Sequence, residues 1–356
     1  MTADTATRPK TLGDFAHLAI EKHFHKTIKH EADVLKDKDP EALHQMRVGM
    51  RRLRTAVTGF APALDLPKYA QEKHIAKIAR ILGTLRDLDV LEEALKSHYQ
   101  PALPKSEQKV VDTALKYLDQ QRQQAFNKVK TTLEKSRYQD LKQALTEWLK
   151  QPSYQQQADL PIQSVIPDLL LPQVSQLLLH PGWLVGVPRQ IHERRAENGE
   201  LQLLRNMSHE AVEQELALHG NVLHCLRKQS KRVRYQMELF TNFYGATYNA
   251  YLEDIKAIQG ILGEIQDSVV LADFLAKALD LKADKLPPNL SEKLAESRYQ
   301  AWQQWQSFQI RYLNLQIRHS FRSELLRPKE LYDNGQYDNP IESTNGTVKT
   351  KEVKKS

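Results

Sequence analysis

The chain has 356 residues, 40% of them hydrophobic, so it can bury one large core or two of medium size. Gly and Pro are sparse, and Leu, Ala, Gln, Lys and Glu are abundant, which favours helix. The single cysteine, Cys225, excludes an internal disulfide framework and is typical of a reducing compartment. The formal net charge is +7, and its placement along the chain is more informative than its size.

No secretory signal or membrane span is predicted. The first residues, MTADTATRPKTLGDF, contain no apolar segment. The most apolar region, Leu160 to Val187, is interrupted by four prolines and by polar residues, so it does not resemble a transmembrane helix. We therefore expect a soluble, cytoplasmic protein with no membrane partner.

The first half of the chain is predicted to form an up-and-down helical bundle over residues 12–150. A loose arm is expected from residue 1 to about residue 11. Asp39 is placed as an N-cap, and Pro40 as the first turn, of the second helix. Pro67 is expected to begin the third helix. The predicted helices span about 12–35, 40–60, 67–97, 106–135 and 136–150.

The second half is predicted to form another bundle, over about 191–326. Proline and glutamine mark a connector at about 151–190, with one short apolar helix near 169–179. Three long helices follow, at about 200–240, 246–279 and 291–326, and Trp302 and Trp305 in the last of them are expected in the core. Residues 327–356 are polar, so we expect a disordered tail.

The helix from Leu43 to Phe60, LHQMRVGMRRLRTAVTGF, divides into two faces at about 100° per residue. One face is apolar and is expected to build a core: Met46, Met50, Leu53, Val57 and Phe60. The other face, roughly 125° away, is basic. We call it the first basic stripe, and it consists of His44, Arg47, Arg51 and Arg54.

The same pattern recurs at an offset of 180 residues, in LHCLRKQSKRVRYQMELF from Leu223 to Phe240. Its basic face, which we call the second basic stripe, consists of His224, Arg227, Lys231 and Arg234. The register continues into the following helix, where Gly83 and Asp87 match Gly263 and Asp267. The economical explanation is a duplicated helical bundle, with the two copies packed about a pseudo-two-fold axis.

The two basic stripes differ from an ordinary solvated helix face, which is the default interpretation of such a pattern. The windows 47–54 and 227–234 hold nine basic residues and no acid, so the rest of the chain carries a small net negative charge. The stripes lack interleaved Glu at i+4, and Arg suits phosphoryl oxygens. These features predict a polyanion-binding site.

The motif His-x-x-Arg-x-x-x-Arg-Arg-x-Arg, followed by Leu-Gly-x-x-Arg-Asp-x-Asp-Val, resembles the CHAD family (conserved histidine α-helical domain). The matching residues here are His44, Arg47, Arg51, Arg52, Arg54, Leu82, Gly83, Arg86, Asp87, Asp89 and Val90. The resemblance covers about residues 12–326. It implies an all-α fold of two four-helix bundles with pseudo-two-fold symmetry. It also implies a basic central cavity that binds inorganic polyphosphate, and association with polyphosphate granules.

By position in the motif, the polyphosphate-binding residues implied by this resemblance are His44, Arg47, Arg51, Arg54, His224, Arg227, Lys231 and Arg234. The predicted site also includes the neighbouring cations Arg52, Lys228 and Arg232. Arg86, Asp87, Asp267 and Lys26 are expected to support them, the two aspartates by accepting hydrogen bonds from arginine forks. The second copy departs from the motif, with Gln266 in place of Arg86 and Val269 in place of Asp89.

The basic residues of the first helix and the stripes themselves allow other interpretations. His23, His25, Lys26, Lys29 and His30 either extend the basic surface or belong to a solvated first helix. Nucleic-acid binding is an alternative, although Tyr235 is the one aromatic residue in either stripe that could stack on a base.

An enzyme acting on polyphosphate or triphosphates is a weaker alternative. No Gly-rich phosphate loop, zinc pair or serine elbow occurs in the sequence. A strand with the Glu-x-Glu-x-Lys signature of a CYTH triphosphatase domain, often fused to CHAD domains, is also missing. We therefore expect no catalytic residue, metal ion or cofactor.

Overall fold

In the computed structural model, residues 9–187, 207–281 and 285–329 are described. This part of the chain is built from α-helices and short turns, and it contains isolated bridges but no β-strand. The all-α fold is as predicted. The helices are α1 (Leu12–Lys29), α2 (Glu31–Lys36), α3 (Pro40–Gly59), α4 (Glu72–Ala94), α5 (Lys105–Glu134), α6 (Ser136–Lys150), α7 (Ile162–Leu178), α8 (His209–Glu238), α9 (Ala246–Ala278), α10 (Pro288–Leu313) and α11 (Leu315–Leu325).

Local capping explains where the first helices begin. Thr11 and Asp14 form a capping box at α1, each side chain accepting a hydrogen bond from the other residue's backbone N–H. Asp39 caps α3 by accepting from the Glu41 N–H at 2.8 Å, and Pro40 occupies the first turn, as predicted.

Two of the predicted helices in the first half differ from those in the structure. The first predicted helix is two helices, because α1 ends at His30 and Asp37 then takes a left-handed conformation (φ 49°) that ends α2. The helix predicted from Pro67 begins at Glu72, since the residues between form a single 3₁₀ turn and Gln71 is extended. The predicted arm at residues 1–8 lies outside the described residues.

The connector prediction also needs correction. Its apolar helix, α7, begins at Ile162 instead of near residue 169, and both Pro167 and Pro172 lie inside it. The last predicted helix is broken in two by Asn314, whose side-chain oxygen accepts the first N–H groups of α11. Residues 188–206 and the predicted tail at 330–356 lie outside the described part of the chain.

One continuous hydrophobic core runs through both halves of the molecule. The predicted apolar face of α3 is buried, as are Trp302 and Trp305 of α10. Where α3 and α8 meet, Phe60 and Phe240 contact each other edge to face, with ring centroids 5.5 Å apart. These two residues are counterparts at the 180-residue offset, and their contact is consistent with the predicted pseudo-two-fold relation, in which counterparts meet close to the axis.

A second, smaller core joins the far ends of α4 and α5 to those of α9 and α10. Leu95 and Leu275, again counterparts at the offset, are both fully buried in it. Glu107 of α5 accepts hydrogen bonds from the backbone N–H groups of Asn289 and Leu290 at the start of α10. The two halves are therefore held together by apolar contacts on both sides of the basic stripes.

None of the described helices is both long enough and apolar enough to span a membrane.

Candidate functional site

The inner arginine of each stripe lies against a glycine of the following helix. A methyl group on Gly263 of α9 would lie 3.2 Å from Nε of Arg227, and one on Gly83 of α4 would lie 3.7 Å from Nε of Arg47. One turn further along, the same arginines reach carboxylates: Arg47 Nη2 lies 3.4 Å from Asp87, and Arg227 Nη2 lies 3.8 Å from Asp267. The glycines therefore let each guanidinium lie flat on the neighbouring helix.

The two stripes converge where the two halves meet. Lys231 of the second stripe is half-buried, and its charge interacts with Arg47 and Arg51 of the first stripe as well as with Arg227 of its own. Burial, together with these three positive charges, lowers the pKa of Lys231 to about 8, against the opposing charge of Asp87. Lys231 and these three arginines thus form a cluster of four cations, in which Asp87 is the acid that acts on Lys231.

Arg51, the counterpart of Lys231, packs against the other half. Its guanidinium carbon lies 4.4 Å from the ring centroid of Tyr235 on α8, and that of Arg234 lies 5.3 Å from the same centroid. Burial lowers the pKa of Arg51. Buried Nε atoms of Arg51 and Arg227 have no hydrogen-bond acceptor among the described residues. A buried N–H group without an acceptor is energetically unfavourable, so these two groups favour the binding of an anion that would accept their hydrogen bonds.

Both stripe histidines are held neutral. Burial, followed by the charges of neighbouring arginines, lowers the pKa of His44 despite the opposing charge of Glu41. Burial and neighbouring cations likewise lower the pKa of His224, which also has a hydrogen bond with Gln266. Each imidazole is therefore largely uncharged at pH 7, and a bound anion would favour its protonation.

The outer arginines are paired, which corrects the expectation that the stripes lack acids. Arg234 donates to Glu238, one turn along the same helix, at 2.8 Å, and to Gln259 at 3.2 Å. Arg54 donates to Glu72 at the start of α4 at 2.6 Å. The unbalanced charge is therefore concentrated on the inner residues of the stripes.

With this geometry in view, comparisons with known proteins identify the fold. A family model described as "CHAD domain" matches residues 18–276. The chain belongs to the CHAD domain family. No protein in the curated set that was searched matches its sequence.

Two solved structures are similar to this CHAD domain. One is the crystal structure of the CHAD domain from the plant Ricinus communis, with 21% identity and a TM-score of 0.53, which covers 89% of this chain and 92% of that one. The other is PptA from Streptomyces chartreusis, with 15% identity and a TM-score of 0.54, which covers 89% of this chain and 99% of that one. At these identities the likeness concerns the fold.

Asp89, in the Arg-Asp-x-Asp part of the motif, helps to hold α4 against α5 in the first half of the CHAD domain. It is buried and accepts from Nε of Arg122 at 2.9 Å, while the rest of that guanidinium binds both carboxylate oxygens of Asp37 at 2.7 Å. Arg86 lies near the same aspartate, at 4.0 Å, and its charge also reaches His44. Asp89 therefore belongs to a structural cluster beside the first stripe.

The second half replaces that cluster with a different one, which accounts for its departure from the motif. Arg298 of α10 binds both carboxylate oxygens of Glu213 at 2.7 Å and donates to the Ser268 hydroxyl at 3.1 Å. Each half thus pairs one partly buried arginine, Arg122 of α5 or Arg298 of α10, with carboxylates. Because Glu213 supplies the carboxylate for Arg298, none is needed at position 269.

The remaining predicted residues lie beside the stripes. Lys228 and Arg232 are exposed on α8, and Arg232 is 3.5 Å from the side chain of Gln229. Arg52 faces α1, where its charge acts on Lys26. Lys26 thus lies next to the first stripe, while His23 of the same helix is buried and belongs to the core side.

Within the described ranges, no group of three or more His, Cys, Asp or Glu side chains is placed to hold a metal ion. Cys225, next to His224 in sequence, is exposed on α8.

Two contributors to the site, Glu72 and Glu238, were missed from the sequence, and the sequence suggested only another role for a third, Tyr235. Glu72 and Glu238 hold the outer arginines, and Tyr235 receives two guanidinium groups instead of serving as a stacking surface for a base. Glu238 could have been found from its i+4 spacing to Arg234. Glu72 and Tyr235 act on residues of other helices, and sequence spacing carries no signal for such contacts.

Proposed function

We propose that this CHAD domain binds inorganic polyphosphate at the place where the two basic stripes converge. The observation that supports this most directly is the environment of Lys231. A half-buried ammonium among Arg47, Arg51 and Arg227 is unfavourable until an anion balances the charge. The oxygens of successive phosphoryl groups would accept hydrogen bonds from these side chains, and the neutral histidines could donate further ones.

Polyphosphate fits this place better than nucleic acid does. A sequence-tolerant nucleic-acid site needs aromatic rings on which bases can stack. Tyr235, the one aromatic residue in either stripe, is 7% exposed, and the guanidinium groups of Arg51 and Arg234 lie over its ring. The stripes therefore provide cations for phosphoryl groups, whereas the ring of Tyr235 is already occupied. These properties suit polyphosphate, which is charged and has no bases. Polyphosphate should therefore displace single-stranded DNA or RNA far better than the reverse.

We propose that binding occurs without catalysis and serves association with polyphosphate, as in granules. The carboxylates at the stripes, Asp87 and Asp267, lie beside Arg47 and Arg227, where they orient the two guanidinium groups. Release of orthophosphate from polyphosphate with Mg²⁺ or Mn²⁺, lost on Asp87→Asn, would overturn this part of the proposal.

The test is a titration of the full chain with long-chain polyphosphate at several salt concentrations. Affinity should fall steeply with salt, because each phosphate contact releases counterions. The double variant R51Q/K231Q should bind at least about a hundredfold more weakly, since both side chains make charged hydrogen bonds to the polymer. Replacing Arg47, Arg54, Arg227 and Arg234 together with Glu should abolish binding while circular dichroism still shows the helices.

A second basic cluster provides the matched control. Lys73 and Lys77 are exposed on α4, and their charges surround His74 together with those of Lys68 and Arg137. The variant K73Q/K77Q removes the same charge as R51Q/K231Q and should keep nearly full affinity. If K73Q/K77Q loses binding and R51Q/K231Q does not, the stripes are not the site.

A further inference from the structure

The two stripes have different flanks, because different helices pack beside them. In the first half α1 packs along α3, and in the second half α7 packs along α8. Helix α1 contains three lysines and no arginine, namely Lys22, Lys26 and Lys29, and Lys36 follows in α2. In contrast, α7 contains no basic residue, and its one charged residue is Asp168.

A close helix crossing brings the α1 lysines to the first stripe. A methyl group on Gly49 of α3 would lie 2.7 Å from the Thr27 hydroxyl and 3.0 Å from its backbone nitrogen. The backbones of α1 and α3 therefore approach each other as only a glycine permits at this point. Lys26 is next to Thr27 in α1, and Arg52 lies one turn beyond Gly49 in α3. Both residues therefore lie close to the point where the two helices cross.

Positive charge continues from the stripe onto α1. Burial lowers the pKa of Lys22 and of Lys26, and the charge of Arg52 is the next largest cause for both. Arg51 acts on Lys26 as well, and Glu41 is the acid that opposes this effect. Across the described residues, no carboxylate lies within 4.0 Å of the charged groups of Lys22, Lys26 or Arg52.

The corresponding place beside the second stripe is neutral. Gln229 occupies the position 180 residues after Gly49, where it is 7% exposed. Its amide lies 3.3 Å from the Gln173 carbonyl oxygen and 3.5 Å from the Gln176 side-chain oxygen, both on α7. Arg232, the counterpart of Arg52, therefore meets amides where Arg52 meets lysines.

We propose that a long polyphosphate chain leaves the stripes on one side, over α1, along Arg52, Lys26 and Lys22. On the side of α7 the track of positive charge ends. This inference rests on the proposed function and adds a direction to it: the two halves of the domain share a central site, but the polymer extends over the first half alone.

The test compares two probes, tripolyphosphate and long-chain polyphosphate, on the full chain. The variant Lys22→Gln should keep its affinity for tripolyphosphate, which occupies the stripes. Its affinity for the long chain should fall by about two- to fivefold, the range for one exposed charge pair. The reciprocal variant Q176K places a cation on α7 and should raise affinity for the long chain alone.

A matched control separates local contacts from total charge. Lys105 is exposed at the start of α5, beside the smaller core, and Lys105→Gln changes the charge by the same amount. Equal loss in this control and in Lys22→Gln would overturn the α1 track, as would a Lys22→Gln variant that binds the long chain like the wild type. If neither probe binds the wild type, the proposed function itself fails.

Discussion

Lys231 makes polyphosphate binding sensitive to pH in a range where few other groups titrate. Its pKa is lowered from 10.5 to about 8 in the free protein. A bound polyanion stabilises the ammonium form and raises this pKa again, so binding above pH 8 takes up a proton. We expect affinity to be flat near pH 7.5 and to fall as pH rises further.

The size of the pH effect on affinity follows from how far the pKa of Lys231 is lowered. A lowering of about 2.5 units corresponds to about 3 kcal/mol of differential interaction between the two protonation states. Affinity should fall by up to about tenfold for each pH unit above 8, if the bound polymer restores the ordinary pKa of the lysine. In the free protein the stripe histidines are already neutral throughout this window, because burial lowers the pKa of both from 6.5.

The assay is a titration with long-chain polyphosphate at constant ionic strength between pH 7.5 and 9.5. The comparison variant is Lys231→Arg, which places at this position the residue type of its counterpart, Arg51. A guanidinium stays charged throughout the range, so this variant should show little pH dependence while it binds as tightly as the wild type at pH 7.5. A flat profile for the wild type, or the same decline in both proteins, would refute the reasoning.

Three further predictions concern the supports of the site. Arg122→Ala leaves a buried aspartate without its partner and should lower the free energy of unfolding by about 2–4 kcal/mol, measured by urea denaturation. Gly263→Ala should weaken polyphosphate binding more than Gly83→Ala, because its methyl would press on Arg227 at 3.2 Å; both should keep or raise the melting temperature, since alanine favours helix. Glu238→Gln frees the outer arginine of the second stripe and should raise affinity in titrations by up to about fivefold.

Periodicity in the sequence was sufficient for the helices and their buried faces. Met46, Met50 and Leu53 recur at helical spacing, and each is fully buried in α3. The N-cap at Asp39 was equally local, since one side chain and the next two residues decide it. Such features depend on residues within a turn or two of each other, and these are the distances over which sequence patterns are informative.

The charge balance of the site could not be predicted in the same way, because it depends on contacts between helices. Arg54 is neutralised by Glu72, which lies 18 residues later on α4. Arg51 packs on Tyr235, which belongs to the other half of the molecule. The sequence showed nine cations without interleaved acids, whereas the fold divides them into paired outer arginines and unbalanced inner residues.

The unbalanced inner residues imply that the site is maintained at the expense of stability. A half-buried ammonium among arginines disfavours the folded state at pH 7, since its protonated form is worth less there than in the unfolded chain. Lys231→Met keeps a long side chain and removes the charge. It should therefore raise the free energy of unfolding at pH 7, by up to about 3 kcal/mol, while it weakens polyphosphate binding.

With saturating polyphosphate, the wild type should instead be more stable than Lys231→Met. A ligand at about one hundred times its Kd stabilises the folded state by about 2.7 kcal/mol, and the wild type gains this stabilisation whereas the methionine variant gains much less. Urea unfolding of both proteins with and without polyphosphate measures the difference. A Lys231→Met protein that is less stable than the wild type without polyphosphate would contradict the argument, because it would show that the lysine already has a favourable partner in the free protein. The expected crossing of the two stabilities would instead show that the electrostatic cost at Lys231 is what polyphosphate relieves.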